Sequence, residues 1–119
     1  MTPSEQVIEL FSALRDCRLD DLASLAHPQV IWEAVVRPGL SVYHGHDGLA
    51  RLARDAHSVH GDYQFTADVI AEDLEPPGVT MLVRIILEPG RPVETFWLRA
   101  RCAFRDGLIE HVETELEPS

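Results

Sequence analysis

The stretch Val93–Leu116, VETFWLRARCAFRDGLIEHVETEL, decides the fold. Two strand-like runs, Val93 to Arg105 and Leu108 to Leu116, meet at a tight Arg105-Asp106-Gly107 turn. Asp-Gly between alternating apolar and polar residues is the strongest short-range hairpin signal, because the tight turn needs positive φ at both central positions. Alternation sorts the two runs by face. Phe96, Leu98, Ala100, Cys102 and Phe104 share one face with Val112, Thr114 and Leu116. The other face carries Trp97, Arg99, Arg101 and Arg105, with Arg99 and Arg101 set against Glu113 and Glu115. Opposite charges across neighbouring strands stabilise a sheet modestly. An exposed Trp97 among them favours a dimer surface over bare solvent.

Upstream, Thr2-Pro3-Ser4-Glu5 reads as a capped helix start. Val7, Ile8, Leu10, Phe11 and Leu14 then recur at helical spacing, and the first helix should end near Cys17. A short second helix runs from Asp20 to Ala26, stopped by Pro28. Val30 to Val36 is a strand with Val30, Trp32 and Ala34 on one face and Glu33 on the other, broken at Arg37-Pro38-Gly39. A Tyr43-His44-Gly45-His46 turn leads into a third helix from near Asp47, with Leu49, Leu52, Ala53, Ala56 and His60 as its stripe and Gly61 at its end. Strands follow at Tyr63–Leu74 and Val79–Glu88, with turns at Glu75-Pro76-Pro77-Gly78 and Pro89-Gly90-Arg91-Pro92. The order is helix, helix, strand, helix, then four antiparallel strands. It implies an α+β fold, a curved antiparallel sheet wrapped on three N-terminal helices, in one domain over residues 1–119. The terminal residues Glu117 to Ser119 should fray.

The 119 residues suffice for a real core. Apolar content of 45% and charged content of 25% are ordinary for a globular chain. The net charge of −10 argues against nucleic acid and anionic membrane surfaces as partners. No run of apolar residues is long enough to span a membrane, and no signal peptide is expected. Cys17 and Cys102 read as two separate thiols rather than a disulfide, which fits a cytoplasmic location.

This arrangement resembles the nuclear transport factor 2-like superfamily, and within it the SnoaL-like and ketosteroid-isomerase-like group. The segments that carry the resemblance are VIELFSALRDCRLDDLASLAHPQVIWEA, YHGHDGLARLARDA and CAFRDGLIEHVETEL, and it covers almost the whole chain. It implies a conical, mostly apolar pocket between helices and sheet, and pairing with a second subunit through the convex sheet face. The pocket wall would be Phe11, Leu14, Trp32, Ala34, Leu82, Arg84 and Ile86, with Phe96, Leu98, Ala100, Cys102, Phe104, Val112, Thr114 and Leu116 from the last two strands.

The family's best-known catalytic positions are occupied differently here. Ketosteroid isomerases place a carboxylate base where this chain has Ala34, a tyrosine where it has Phe11, and a protonated aspartate near Arg99 to Arg101. Those departures remove the base and donors that enolisation needs. A one-residue register shift would turn Glu33 inward as a substitute. Limonene epoxide hydrolases use an arginine matched by Arg84, but their aspartates fall near Ile86 and Thr114. SnoaL-like cyclases move one proton within an enclosing pocket and demand fewer fixed groups.

The resemblance therefore implies a cofactor-free isomerase or cyclase for an apolar, carbonyl-bearing or cyclic small molecule. A non-catalytic ligand-binding domain is the alternative, and an epoxide hydrolase the third. The candidate catalytic residues are Arg84, Glu33, His60 and His57. Arg84 interrupts an otherwise apolar strand, so it either clamps an oxyanion or pairs with Glu33, Asp68 or Glu72. His57 and His60 lie on or beside the third helix's apolar stripe and could carry a proton at neutral pH. Trp32 offers a flat apolar surface to a ring. His44 and His46 lack a third ligand at recognisable spacing, so no metal and no cofactor are expected.

Overall fold

A computed structural model describes residues 1–35, 40–87 and 95–117. Helix α1, Pro3–Arg15, opens with a complete capping box. Thr2 Oγ1 accepts from the Glu5 amide at 3.1 Å, and the Glu5 carboxylate accepts from the Thr2 amide at 3.2 Å. The helix buries Val7, Leu10, Phe11, Ala13 and Leu14. It ends in a Schellman turn. The Cys17 and Arg18 amides donate to the carbonyls of Leu14 and Ala13 at 3.3 and 2.9 Å, with Cys17 at φ +54°. Helix α2 covers Leu19–Leu25. Helix α3, Gly45–His60, buries Gly48, Leu49, Leu52, Ala53 and Ala56 and stops at Gly61, φ +65°. It starts two residues earlier than its acidic first turn suggests.

Six strands form one sheet: β1 Ala26–Val35, β2 Leu40–His44, β3 Gln64–Leu74, β4 Pro77–Ile86, β5 Thr95–Arg105 and β6 Leu108–Leu116. Their spatial order is β2-β1-β6-β5-β4-β3. The helices precede most of the sheet, which is curved and unclosed, as expected for an α+β cone. Two details differ from the expected topology. The Tyr43–His44 segment is not a turn but the end of β2, which pairs antiparallel with β1 through Trp32 opposite Tyr43. The sheet is also mixed, since β1 runs parallel to β6 with Trp32 beside Val112. β1 and β6 lie far apart in sequence, and no local pattern reports the direction of such a pairing. The breaks at residues 37–39 and 89–92, and residues 118–119, lie outside the described residues.

The β5–β6 hairpin turns on Asp106 and Gly107, both with positive φ, at +53° and +77°. Arg105 pairs with Leu108 across it. Gln6 Nε2 donates to the Gly107 carbonyl at 2.8 Å, which ties α1 to the hairpin tip.

The core lies between the helices and the inner face of the sheet. Val79, Met81, Val83 and Ile85 of β4 meet Leu98, Ala100 and Cys102 of β5, with Ile109 and Val112 of β6 and Val30 and Trp32 of β1. Each fully buried large aliphatic side chain there contributes roughly 1.5–3 kcal/mol. No helix among the described residues is long and apolar enough to cross a membrane.

Candidate functional site

Packing between helices and sheet leaves an apolar cavity of about 60 Å³. Phe11 and Leu14 of α1, Trp32 and Ala34 of β1, and Leu52, Ala56 and His60 of α3 form three sides. Tyr63, Phe65, Ile85, Phe96, Leu98 and Thr114 complete it. Phe11 meets Trp32 edge to face, with ring centroids 5.1 Å apart and planes at 65°. Phe65 stands 6.0 Å from Phe11 on the other side. These inclined rings line the cavity with apolar surface.

Polar groups in the cavity are few. Thr114 Oγ1 donates to the Glu33 carbonyl at 2.8 Å, so that hydroxyl serves the sheet. The Tyr63 phenol is pushed up to about 12, chiefly by burial, and stays neutral. His60 is half-buried, with its ring 5.4 Å from Phe96 and 6.3 Å from Tyr63. Burial lowers its pKa below the ordinary imidazole value. The ring makes no hydrogen bond to the described residues, so the neutral nitrogen is available to a ligand. No carboxylate lines the cavity among the described residues.

Phe11, Trp32, Ala34, Thr114 and His60 therefore share the cavity, as the face assignments suggested. Ala100, Cys102 and Val112 point inward too, but they are packed into the core rather than lining the cavity. Burial pushes the Cys102 thiol up to about 12, which leaves it inert.

The inward placement of Leu82, Arg84 and Ile86 is corrected. Val83 pairs with Leu98 and Met81 with Ala100, so the inner face of β4 is the odd-numbered set. Arg84 stands on the outer face, opposite Trp97 in β5, its guanidinium 5.8 Å from the indole centroid. The alternation of β4 points the same way, since Val79, Met81, Val83 and Ile85 are all apolar while the other face carries Thr80 and Arg84. The pairing with β5, whose inner face is legible, agrees with it.

Glu33 also stays outside. No register shift turns it inward, and its carboxylate lies 3.1 Å from His111 Nε2 on the outer face. His57 does not reach the cavity. Its Nε2 lies 2.6 Å from the Arg15 carbonyl, and the ring borders a separate polar depression of about 480 Å³. Arg15, Asp16, Cys17, Asp62, Tyr63 and Gln64 line the rest of that depression. His46 Nε2 lies 2.9 Å from the Ala26 carbonyl, a bond that anchors the start of α3. Leu116, expected in the wall, is exposed, and sequence reasoning missed Leu52, Ala56, Tyr63, Phe65 and Ile85 as lining residues. The β4–β5 register would have found Ile85, which pairs with Phe96. Phe65 then follows, because it pairs with Ile85.

Comparison with solved structures places the fold among known ones. TerC, co-crystallised with polyporic acid, superposes with a TM-score of 0.77 at 17% identity, covering 97% of this chain and 91% of that one. An NTF2-like protein of unknown function from Burkholderia pseudomallei gives 0.72 at 20% identity, with 98% and 92% covered. An LEH-like epoxide hydrolase from M. tuberculosis gives 0.63 at 19% identity, with 95% and 80% covered. At such identities the likeness is one of fold. No curated protein matches the sequence significantly. The family model described as a SnoaL-like domain matches residues 7–112, and with helices, sheet and cavity arranged in this way the chain belongs to that family.

Proposed function

We propose that this protein is a cofactor-free isomerase or cyclase for an apolar, carbonyl-bearing or cyclic small molecule, with His60 as its proton carrier. The observation that carries this reading is the His60 imidazole. It makes no hydrogen bond to the described residues, burial lowers its pKa, and the rest of the lining is apolar apart from the Thr114 hydroxyl and the Tyr63 phenol. A neutral imidazole can take a proton from carbon beside a carbonyl and return it at another position, which needs no external reactant. Phe11 and Trp32 would hold a ring against it. The cavity is smaller than the roughly 150 Å³ that accommodates benzene. A ring therefore enters only if lining side chains rotate, and His60 and Phe96 are half-buried.

The reading is tested by incubating the protein with a panel of cyclic ketones in deuterated water and following exchange beside the carbonyl by NMR. The native protein should accelerate exchange, and His60→Gln should lose about a hundred-fold or more. Equal exchange in both proteins would reject it. Binding without exchange would favour the non-catalytic ligand-binding domain, which the scarcity of titratable groups in the cavity also supports. Epoxide hydrolysis between two carboxylates has no support from the described lining.

We also propose that two copies pair through the outer face of the sheet and that the protein is cytoplasmic. The half-buried Trp97 lies beside Arg84, and Arg99 and Arg101 adjoin Glu113, Glu115 and Glu117. A two-fold axis could set the basic strip of one copy against the acidic strip of the other. Light scattering on Trp97→Glu should report a monomer where the native chain reports a dimer. A monomeric native chain would reject the pairing. Both cysteines are free, which is compatible with a reducing compartment.

A further inference from the structure

Tyr63 belongs to two concavities at once. Its ring closes one side of the apolar cavity, and the same residue borders the polar depression. The ring stands between two imidazoles, 5.8 Å from His57 on the depression side and 6.3 Å from His60 on the cavity side. Tyr63 is only 7% exposed, yet its phenol makes no hydrogen bond to the described residues. The groups that act on the phenol electrically are Cys17, Arg15 and Asp16, all in the depression. The hydroxyl therefore lies toward the depression while the ring faces the cavity. The hydroxyl itself is not among the enclosed, unpartnered polar atoms of the described residues, so it meets the open depression, where a ligand group would bond it in place of water.

We propose that the depression is the second half of the ligand site and takes a non-anionic, hydrogen-bond-donating end of the ligand, a hydroxyl or ammonium. The ligand's ring occupies the apolar cavity, and the Tyr63 ring is the movable partition between the two. The inference rests on the cavity being the ligand site.

The chemistry of the depression selects against a carboxylate. Arg15 is its guanidinium, and that group is already committed. Its Nε and Nη2 donate to Asp16 at 3.0 and 3.3 Å, and its Nη1 donates to Gln64 at 3.2 Å. Its central carbon lies 5.4 Å from the Phe65 ring centroid. Both Asp16 oxygens accept from Arg15, which leaves the exposed Asp62 carboxylate as the acceptor bordering the space, and the chain's net charge of −10 repels anions further. A ligand hydroxyl there can accept from the Tyr63 phenol and donate to Asp62. The cavity's 60 Å³ requires a lining side chain to move before any ring fits, and displacement of Tyr63 would join the two spaces.

The test uses four probes with one ring: ethylbenzene, phenylethanol, phenylethylamine and phenylacetate. Affinity is read by NMR titration, and the depression is read by the rate of Cys17 alkylation with iodoacetamide. Cys17 is exposed and Cys102 buried, so labelling reports the depression. Phenylethanol and phenylethylamine should bind about ten-fold more tightly than phenylacetate, a difference of about 1.4 kcal/mol. Both should slow alkylation, whereas ethylbenzene should bind without slowing it. Tyr63→Phe should keep its ethylbenzene affinity and lose several-fold in phenylethanol affinity. Phenylacetate binding as tightly as phenylethanol, polar-armed probes binding without protecting Cys17, or no binding by any of the four would overturn the proposal. Loss of deuterium exchange with protection intact would remove the catalytic reading and leave this one standing.

Discussion

His60 and Phe96 face each other at the cavity, with their ring centroids 5.4 Å apart. The contact keeps water from the imidazole, and burial lowers its pKa. The unfolded chain therefore binds this proton more readily than the folded one. The stability that depends on a neutral His60 is complete above the ordinary imidazole pKa and is lost as pH falls through the lowered one. Acidifying from about pH 7.5 to about pH 5 should lower the Tm of the native protein more than that of His60→Gln. Thermal unfolding followed by circular dichroism checks this, and equal drops would contradict it.

Opposite placement of Arg84 and Phe11 predicts opposite consequences for two truncations. Phe11 is buried at 6% exposure against Trp32 and Phe65, so Phe11→Ala should destabilise the fold by about 3–5 kcal/mol. Arg84→Ala removes an outer-face contact with Trp97 and should cost about 1 kcal/mol. It should also leave ethylbenzene affinity unchanged within about two-fold, because the guanidinium is remote from the cavity lining. Urea unfolding and the same NMR titration decide. A large loss of affinity in Arg84→Ala would return that residue to the site.

How much of this was readable from sequence depended on how each strand's two faces differ. In β5 the inner face is apolar or small and the outer face carries Arg99 and Arg101, so the alternation was unambiguous. Asp106-Gly107 supplied the hairpin because few other pairs tolerate two positive φ values. In β4, Leu82 and Ile86 are as apolar as Val83 and Ile85, and only Thr80 and Arg84 distinguish the outer set from the wholly apolar inner one. Likeness to another enzyme's arginine turns Arg84 inward, against that local sign. Tyr63 carries no such local sign for a different reason. Its importance comes from two spaces meeting at one side chain, and α1, α3 and β3 meet there only in three dimensions.

Gly48 allows α3 to pack directly on β2. A Cβ at that position would lie 3.1 Å from the backbone carbon of Tyr43. Alanine is favoured over glycine inside a helix by about 1 kcal/mol. The neighbour here cannot easily retreat, because the Tyr43 hydroxyl donates to Asp55 at 2.7 Å and ties β2 to the same helix. Gly48→Ala should therefore be net destabilising by about 1 kcal/mol. The shift in urea midpoint measures it, and a stabilised variant would show that β2 yields.

Cys17 holds the left-handed position of the Schellman turn that ends α1, at φ +54°. Glycine usually occupies that position, since a side chain there costs roughly 1–2 kcal/mol. Cys17 is exposed, so little packing would be lost on its removal. Against the relief of strain stands the greater freedom of glycine in the unfolded chain, worth about 0.4–1 kcal/mol. The balance favours the folded state, and Cys17→Gly should stabilise the protein by about 0.5–1 kcal/mol. Chemical denaturation of the two proteins under reducing conditions, which removes any effect of thiol oxidation, measures this directly. A destabilised glycine variant would mean that the thiol makes a favourable contact in the depression beside Tyr63, where it sits.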